Sequence, residues 1–359
     1  MMISLNNKFI ITTLLSLFLF SCNPDKQGNM KWIAKYDFNQ LYQLTDQATV
    51  LDPMSAFRFE DFKAINENTI ILIGNKSLRS FDSSQIGYQA VILISKDRGK
   101  SYQELLLPEQ EMKWIDTSND YSLVEAQNRL PDNSKKISQY LLDHKSLKVV
   151  KIDEYLSADD IDYKKFNGKY VIYSNRGNLK LINLLNREEE YPLPDDLNNQ
   201  PFYLTAQGNI LTLQKNQIIS YDPKTQNKQI IKSFKNNYDV LLYQDDTFVL
   251  GKANLLKTSA TFYNEEEKEL YTLDSKNDNF YRYKNFVCDY KLLSSINPSI
   301  RYSYDYGQTW YKYELKGMFT ASRPVGFYKD KFIILRASFH DKPDPEDRGG
   351  RLLIGDFEK

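Results

Sequence analysis

The chain has 359 residues, enough for one large β domain or two ordinary ones and too many for a small disulfide-stapled module. Its 47 Lys plus Arg balance 47 Asp plus Glu, so the basic surplus that phosphate-driven nucleic-acid binding needs is missing. Two His argue against a His-based metal site or a Ser-His-Asp hydrolase, and two Cys rule out a disulfide framework, while 26 Tyr and 20 Phe favour pleated strands.

At the N-terminus, Lys8 precedes an apolar stretch from Phe9 to Phe20. A basic residue before about a dozen apolar ones has the form of an export signal, shorter than the roughly 20 residues of a comfortable membrane span. The next residues, Leu19-Phe20-Ser21-Cys22, resemble the lipobox of bacterial lipoprotein precursors. That resemblance implies cleavage before Cys22 and lipid attachment to its thiol, where several acyl chains hold a protein stably on a membrane. The expected organisation is a signal peptide over 1–21, a lipidated polar tether over 22–30 and one domain over 31–359. Asn23 after the cysteine, where an Asp would signal retention, points to a cell-envelope location at the outer membrane facing the periplasm. Cys288 is left without a disulfide partner and reads as a small buried hydrophobe.

Beyond the tether, Lys31 to Tyr36 alternates like a strand. Ile70-Ile71-Leu72-Ile73-Gly74 is a second strand, and it leads through a loop into Ser95-Lys96-Asp97-Arg98-Gly99-Lys100-Ser101-Tyr102. A related run, Ser303-Tyr304-Asp305-Tyr306-Gly307-Gln308-Thr309-Trp310, follows far downstream. Each reads as a hairpin turn: the Asp carboxylate takes turn amides, the Gly supplies positive φ, and Tyr102 or Trp310 packs beneath. Asp97 and Asp305 are 208 residues apart, five periods of about 42, the length of a four-stranded propeller blade. Hairpin patterns centred on Asp143, Asn186, Asp222 and Asn264 fill the interval in steps of 46, 43, 36, 42 and 41. The last strand-like run, Arg351 to Asp356, leaves its blade one strand short, and Lys31 to Tyr36 is placed to supply it. The expectation is an all-β propeller of four-stranded blades, seven by this count or six if one weak repeat is an insertion, closed by an N-terminal strand.

The two motifs and their period resemble the Asp-box (BNR) propellers, a group that includes sialidases, sortilin-type receptors and photosystem II assembly factors. The resemblance implies that Ser95, Asp97, Gly99, Tyr102, Ser303, Asp305, Gly307 and Trp310 are structural residues on blade peripheries. It also raises a glycoside hydrolase as the alternative function, with three arginines on a substrate carboxylate and a Tyr–Glu nucleophile. Arg58, Arg282 and Arg301 can be set out as such a triad, but Phe57-Arg58-Phe59-Glu60 lacks the Ile-Pro that follows the first sialidase arginine, and nothing selects the three.

The preferred expectation is a non-catalytic binder of a protein or envelope component, of assembly or immunity type, using loops on a rigid scaffold. Two segments read as long loops at equivalent positions of the first and last blades, 75–89 with Lys76, Arg79 and Phe81, and 338–350 with His340, Asp341 and Arg348. Solvation alone is the plainer reading of such charged loops. Asp341, Asp344, Glu346 and Asp347 have oxygen ligands but no EF-type spacing, so no metal and no cofactor is expected.

Overall fold

The computed structural model describes residues 25–37, 57–79, 86–156, 161–175, 177–186, 189–199, 202–244, 247–254, 259–274, 280–291, 299–315, 318–339 and 351–358. Two N-terminal strands, β1 (Lys26–Gln27) and β2 (Asn29–Asp37), precede the ring. Blade 1 holds β3 (Phe57–Ala64), β4 (Ile70–Arg79), β5 (Ile86–Ser95) and β6 (Gln103–Leu106). Blade 2 holds β7 (Glu111–Thr117), β8 (Tyr121–Arg129), β9 (Lys135–Asp143) and β10 (Val149–Leu156). Blade 3 holds β11 (Ile161–Phe166), β12 (Tyr170–Asn175), β13 (Asn178–Asn183) and β14 (Glu190–Pro192). Blade 4 follows with β15 (Phe202–Leu204), β16 (Ile210–Gln214), β17 (Gln217–Asp222) and β18 (Asn227–Ser233). Blade 5 has β19 (Val240–Gln244), β20 (Thr247–Asn254), β21 (Ser259–Tyr263) and β22 (Glu269–Asp274). Blade 6 has β23 (Phe280–Tyr283), β24 (Phe286–Lys291), β25 (Ser299–Ser303) and β26 (Tyr311–Glu314). Blade 7 has β27 (Met318–Tyr328), β28 (Phe332–Phe339) and β29 (Arg351–Glu358) from the C-terminal part of the chain.

Each blade is an antiparallel meander, and the missing outer strand of blade 7 is β2, paired antiparallel with β29 from Asn29 opposite Glu358 to Asp37 opposite Arg351. The chain is thus a seven-bladed β-propeller closed by an N-terminal strand, as the turn spacing predicts. Of the six hairpin centres read from the sequence, four fall between the third and fourth strands of blades 1, 3, 5 and 6, and Asp143 and Asp222 end the third strands of blades 2 and 4. Two features differ from the sequence expectation. The polar stretch ends earlier than residue 30, because β1 already pairs with β26 and makes blade 6 five-stranded. The segment 75–89 is mostly strand, because β4 and β5 stay paired from Lys76 opposite Gln89 to Arg79 opposite Ile86.

The core is divided among seven apolar clusters, one between each pair of neighbouring blades. This explains the unbroken apolar runs. In β4, Ile70 and Leu72 face blade 7, while Ile71 and Ile73 face blade 2. A strand covered on both sides is apolar at every position, like a strand in a buried parallel sheet. Each of these isoleucines is fully buried, which stabilises the ring by about 1.5–3 kcal/mol per side chain. Cys288 is buried in the cluster between blades 6 and 7, and burial holds its thiol well above the usual range.

The meander gives the disc two faces. Turns between first and second strands, and between third and fourth, lie on one face, called the lower face here. Turns between second and third strands lie on the upper face. On the lower face the two kinds of turn are tied by backbone bonds within a blade, Arg98 N–H to Asn68 O at 2.8 Å in blade 1 and Tyr306 N–H to Asn285 O at 3.0 Å in blade 6.

Candidate binding faces and the geometry of the polar groups

The Asp97 and Asp305 turns have the same network. Ser95 Oγ–H donates to Asp97 Oδ1 at 2.8 Å, and Ser303 Oγ–H to Asp305 Oδ1 at 2.7 Å. The same hydroxyl oxygens accept Gly99 N–H at 2.7 Å and Gly307 N–H at 2.8 Å. The carboxylates then accept the amides that follow, Ser101 N–H at 2.9 Å and Thr309 N–H at 2.8 Å. Gly99 and Gly307 take φ of 83° and 82°, where an L side chain would be strained. The Ser101 hydroxyl does most to hold Asp97 down to about 2, with the turn amides adding to it. Burial opposes ionisation at Asp305, and the bonds from Thr309 and Ser303 outweigh it. Tyr102 packs against the cluster between blades 1 and 7, and Trp310 lies under the Arg301 guanidinium at 4.6 Å. Asp143, Asp222 and Asn264 cap the corresponding turns of blades 2, 4 and 5 with fewer bonds.

On the upper face, blade 1 raises a two-stranded arm. Among the described residues β3 pairs with β4 up to Lys76 and β6 pairs with β5 from Val91, so 77–79 and 86–88 rise beyond the four-stranded part of the sheet. Arg79 is the last residue of β4 in this arm. Lys76 lies at its base, nearly buried, with Nζ 3.2 Å from Glu104 Oε1. Phe81, His340, Asp341 and Arg348 lie outside the described residues, as does Cys22. The segment 340–350 connects β28 to β29, the second and third strands of blade 7, and blade 7 packs directly on blade 1.

On both sides of blade 2 the structure shows buried polar bonds that reading the sequence missed, the first set between blades 1 and 2. Asn75 Nδ2 donates to Glu60 Oε1 at 3.1 Å, and its Oδ1 accepts Met112 N–H at 2.6 Å. Within blade 2, on the side that carries Leu123 toward blade 3, Gln127 donates to Glu111 at 2.8 Å and Gln139 to Glu125 at 2.8 Å, while Lys113 stands 3.1 Å from Glu125. Tyr140 Oη lies 2.7 and 2.8 Å from the two oxygens of Glu109. The signal was present as polar residues inside otherwise apolar strands, Glu125 and Gln127 in β8 and Gln139 in β9. A fully paired network of this kind fixes geometry rather than leaving groups free for a ligand.

The arginine triad of a glycosidase is not assembled. Arg58 and Arg282 belong to first strands, but Arg301 belongs to β25, a third strand. Arg301 bonds Asp25 at 3.0 Å, stands 3.7 Å from Asp289 and stacks on Trp310. Arg282 packs 6.0 Å from the Tyr306 ring, and burial lowers its pKa. The Tyr140–Glu109 pair is buried between blades 1 and 2, where a substrate has no access to the phenol. Ser122 Oγ is 2.7 Å from His144 Nε2, but the Ser122 residue is completely buried and no substrate carbon can reach it. No group of three or more metal-ligating side chains occurs among the described residues.

No protein-family model matches the chain, and no curated protein matches it. Solved propellers align over nearly its whole length. A chain of a mitotic checkpoint complex crystal structure is 10% identical with a TM-score of 0.47, covering 94% of this chain and 99% of that one. Saccharomyces cerevisiae Sqt1 is 7% identical with a TM-score of 0.44, covering 94% of this chain and 100% of that one. Similarity at this level says nothing about what this chain binds.

Proposed function

We propose that this chain is a non-catalytic propeller that binds a protein or envelope component, held at a bacterial cell envelope by lipid on Cys22. The observation that supports binding best is the arm of blade 1, a strand pair raised above a ring whose own strands are packed on both sides. A rigid disc with one raised strand pair offers a partner a pre-organised surface, which lowers the ordering cost of association. The networks at Asp97 and Asp305 support placing the ring with the Asp-box propellers. The apolar run before Cys22 supports the anchor.

Two measurements test the reading. Crosslinking from intact cells, with the anchored chain as bait, is expected to recover one stoichiometric partner, and the double variant Arg79→Ala, Phe81→Ala is expected to lose most of it. Undiminished recovery by the double variant would remove the arm as the binding element. Cys22→Ser is expected to move the protein from the membrane fraction to the soluble fraction. Its continued membrane retention would refute the anchor.

A further inference from the structure

The strands that close the ring also fix the side from which the chain enters it. β1 runs parallel to β26, with Lys26 opposite Tyr311 and Gln27 opposite Lys312. Lys26 N–H donates to Trp310 O at 2.8 Å, Gly28 N–H donates to Lys312 O at 2.8 Å, and Arg301 holds Asp25 at 3.0 Å. Asp25 therefore sits beside Trp310, at the lower end of β26 on the outer rim of blade 6. β2 starts at the same level, with Asn29 opposite Glu358 at the lower end of β29. Gly28 makes the crossing between the two blades against the Tyr302 ring, where an added Cβ would lie 2.9 Å from the hydroxyl oxygen.

Cys22 precedes Asp25 by three residues. Three residues span at most roughly 10 Å even when fully extended. A thiol carrying acyl chains in a bilayer would thus keep the lower rim of blade 6 within about one side-chain layer of the headgroups.

A second observation lies on the same edge. The lower turns of blades 6 and 7 and the residues beside them carry Tyr283, Lys284, Tyr306, Trp310, Tyr328 and Lys329. Lys284 Nζ lies 5.5 Å from the Tyr283 ring, and Lys329 Nζ lies 5.8 Å from Tyr283 and 5.3 Å from Tyr328. The four rings are half-buried and both lysines are exposed. Amphipathic rings beside snorkelling lysines are the chemistry that settles at a bilayer–water boundary. The adjacent lower turn of blade 5 is acidic, but two of its carboxylates turn toward blade 4, where Glu265 reaches Lys232 at 3.1 Å and Glu267 accepts Lys235 N–H at 2.6 Å, while Glu266 accepts a bond from Asn264 inside the turn. Asp330 and Glu358 share the edge with the lysines, so aromatic rings and the covalent anchor define this surface rather than net charge.

We infer that the lower rim of blades 6 and 7 rests on a phospholipid bilayer, turning the upper face and the blade 1 arm away from the membrane. The inference rests on the reading of Cys22 as lipidated, and it adds which side of the disc a partner can reach. An anchored binder with its arm facing outward can capture a partner from the adjoining aqueous space, while its lower turns are shielded.

The test uses the full-length lipidated protein in phosphatidylethanolamine–phosphatidylglycerol vesicles that contain a lipid with a nitroxide on its headgroup. Fluorophores are attached at Gln308→Cys or Lys284→Cys on the lower rim, and at Asn133→Cys on the upper face. Cys288 is completely buried, which keeps it from labelling in the folded protein. The lower-rim labels are expected to lose most of their fluorescence and the Asn133 label almost none. Equal quenching at both faces, or quenching of the Asn133 label alone, would overturn the orientation while vesicle flotation still showed the anchor intact. Failure of the wild-type protein to float with vesicles or to incorporate radiolabelled palmitate would instead overturn the anchor, and the orientation with it.

Discussion

Blade 1 has two neighbours, and its two boundaries are built differently. Toward blade 7, across the seam that joins the chain ends, the layer itself is apolar, with Phe62, Ile70, Leu72, Val91 and Leu93 against Phe332, Ile334, Leu352 and Ile354, and one ion pair, Arg98 with Asp356, crosses at its lower end. Toward blade 2, its neighbour in sequence, an apolar layer built on Ile71, Ile73 and Ile92 is joined by two sets of buried hydrogen bonds, Asn75 with Glu60 and Met112, and Tyr140 with Glu109. The difference teaches how a ring of nearly equivalent blades can close. Apolar burial is strong and non-directional, which suits a seam between distant parts of the chain. Buried hydrogen bonds tolerate one geometry only, which suits two consecutive blades whose relative setting governs the rest of the ring.

The largest effect is expected at the seam. Phe62→Ala removes a fully buried ring from that cluster and is expected to cost about 3–5 kcal/mol of unfolding free energy, read from denaturant midpoints. A loss below about 1 kcal/mol would mean that blades 1 and 7 are joined chiefly by β2 rather than by packing.

At the polar boundary the expected cost is smaller and of another kind. Asn75→Ala leaves Met112 N–H and Glu60 without their Asn75 bonds, an expected loss of about 1–3 kcal/mol by the same measurement. Asn75→Leu should recover none of it, because the orphaned amide remains. Full recovery by leucine would show that the site needs volume, and the contrast between the two boundaries would collapse.

The smallest effect lies in the lower turns and depends on pH. Asp97 is held at about 2 against an ordinary value of 3.8, so its contribution is present above 3.8 and is lost as pH falls through about 2. Asp97 lies in a surface turn, so the contribution is modest. Asp97→Asn is expected to lower the urea midpoint at pH 6 and to match the wild type as pH approaches 2. A midpoint difference independent of pH would assign the effect to turn geometry rather than to the carboxylate charge.

The sequence settled what depends on local chemistry and repetition. Six turns at a near-constant period gave the blade count, since each hairpin signals itself through Asp or Asn capping, with glycine as well at Gly99 and Gly307. The open end of the last sheet, together with the alternation of Lys31 to Tyr36, gave the closure. The length of the 75–89 loop was misread because polar residues in a raised strand pair look like loop residues, and only the pairing of Lys76 with Gln89 shows otherwise.

The sequence alone could not place Lys26–Gln27. Two residues carry no periodicity, and their strand exists only because the open edge of β26 lies beside the chain as it crosses to blade 7. Nor could it foresee that Arg301 lies on a third strand, with β24 between it and the first strand that carries Arg282, or that Asn75 bonds both Glu60 and Met112. Those facts depend on contacts between residues far apart in the chain, which exist only once the ring has closed and each strand has met the neighbours that cover it. Local sequence therefore determined what each hairpin is, and tertiary structure decided which face it occupies and what it can touch.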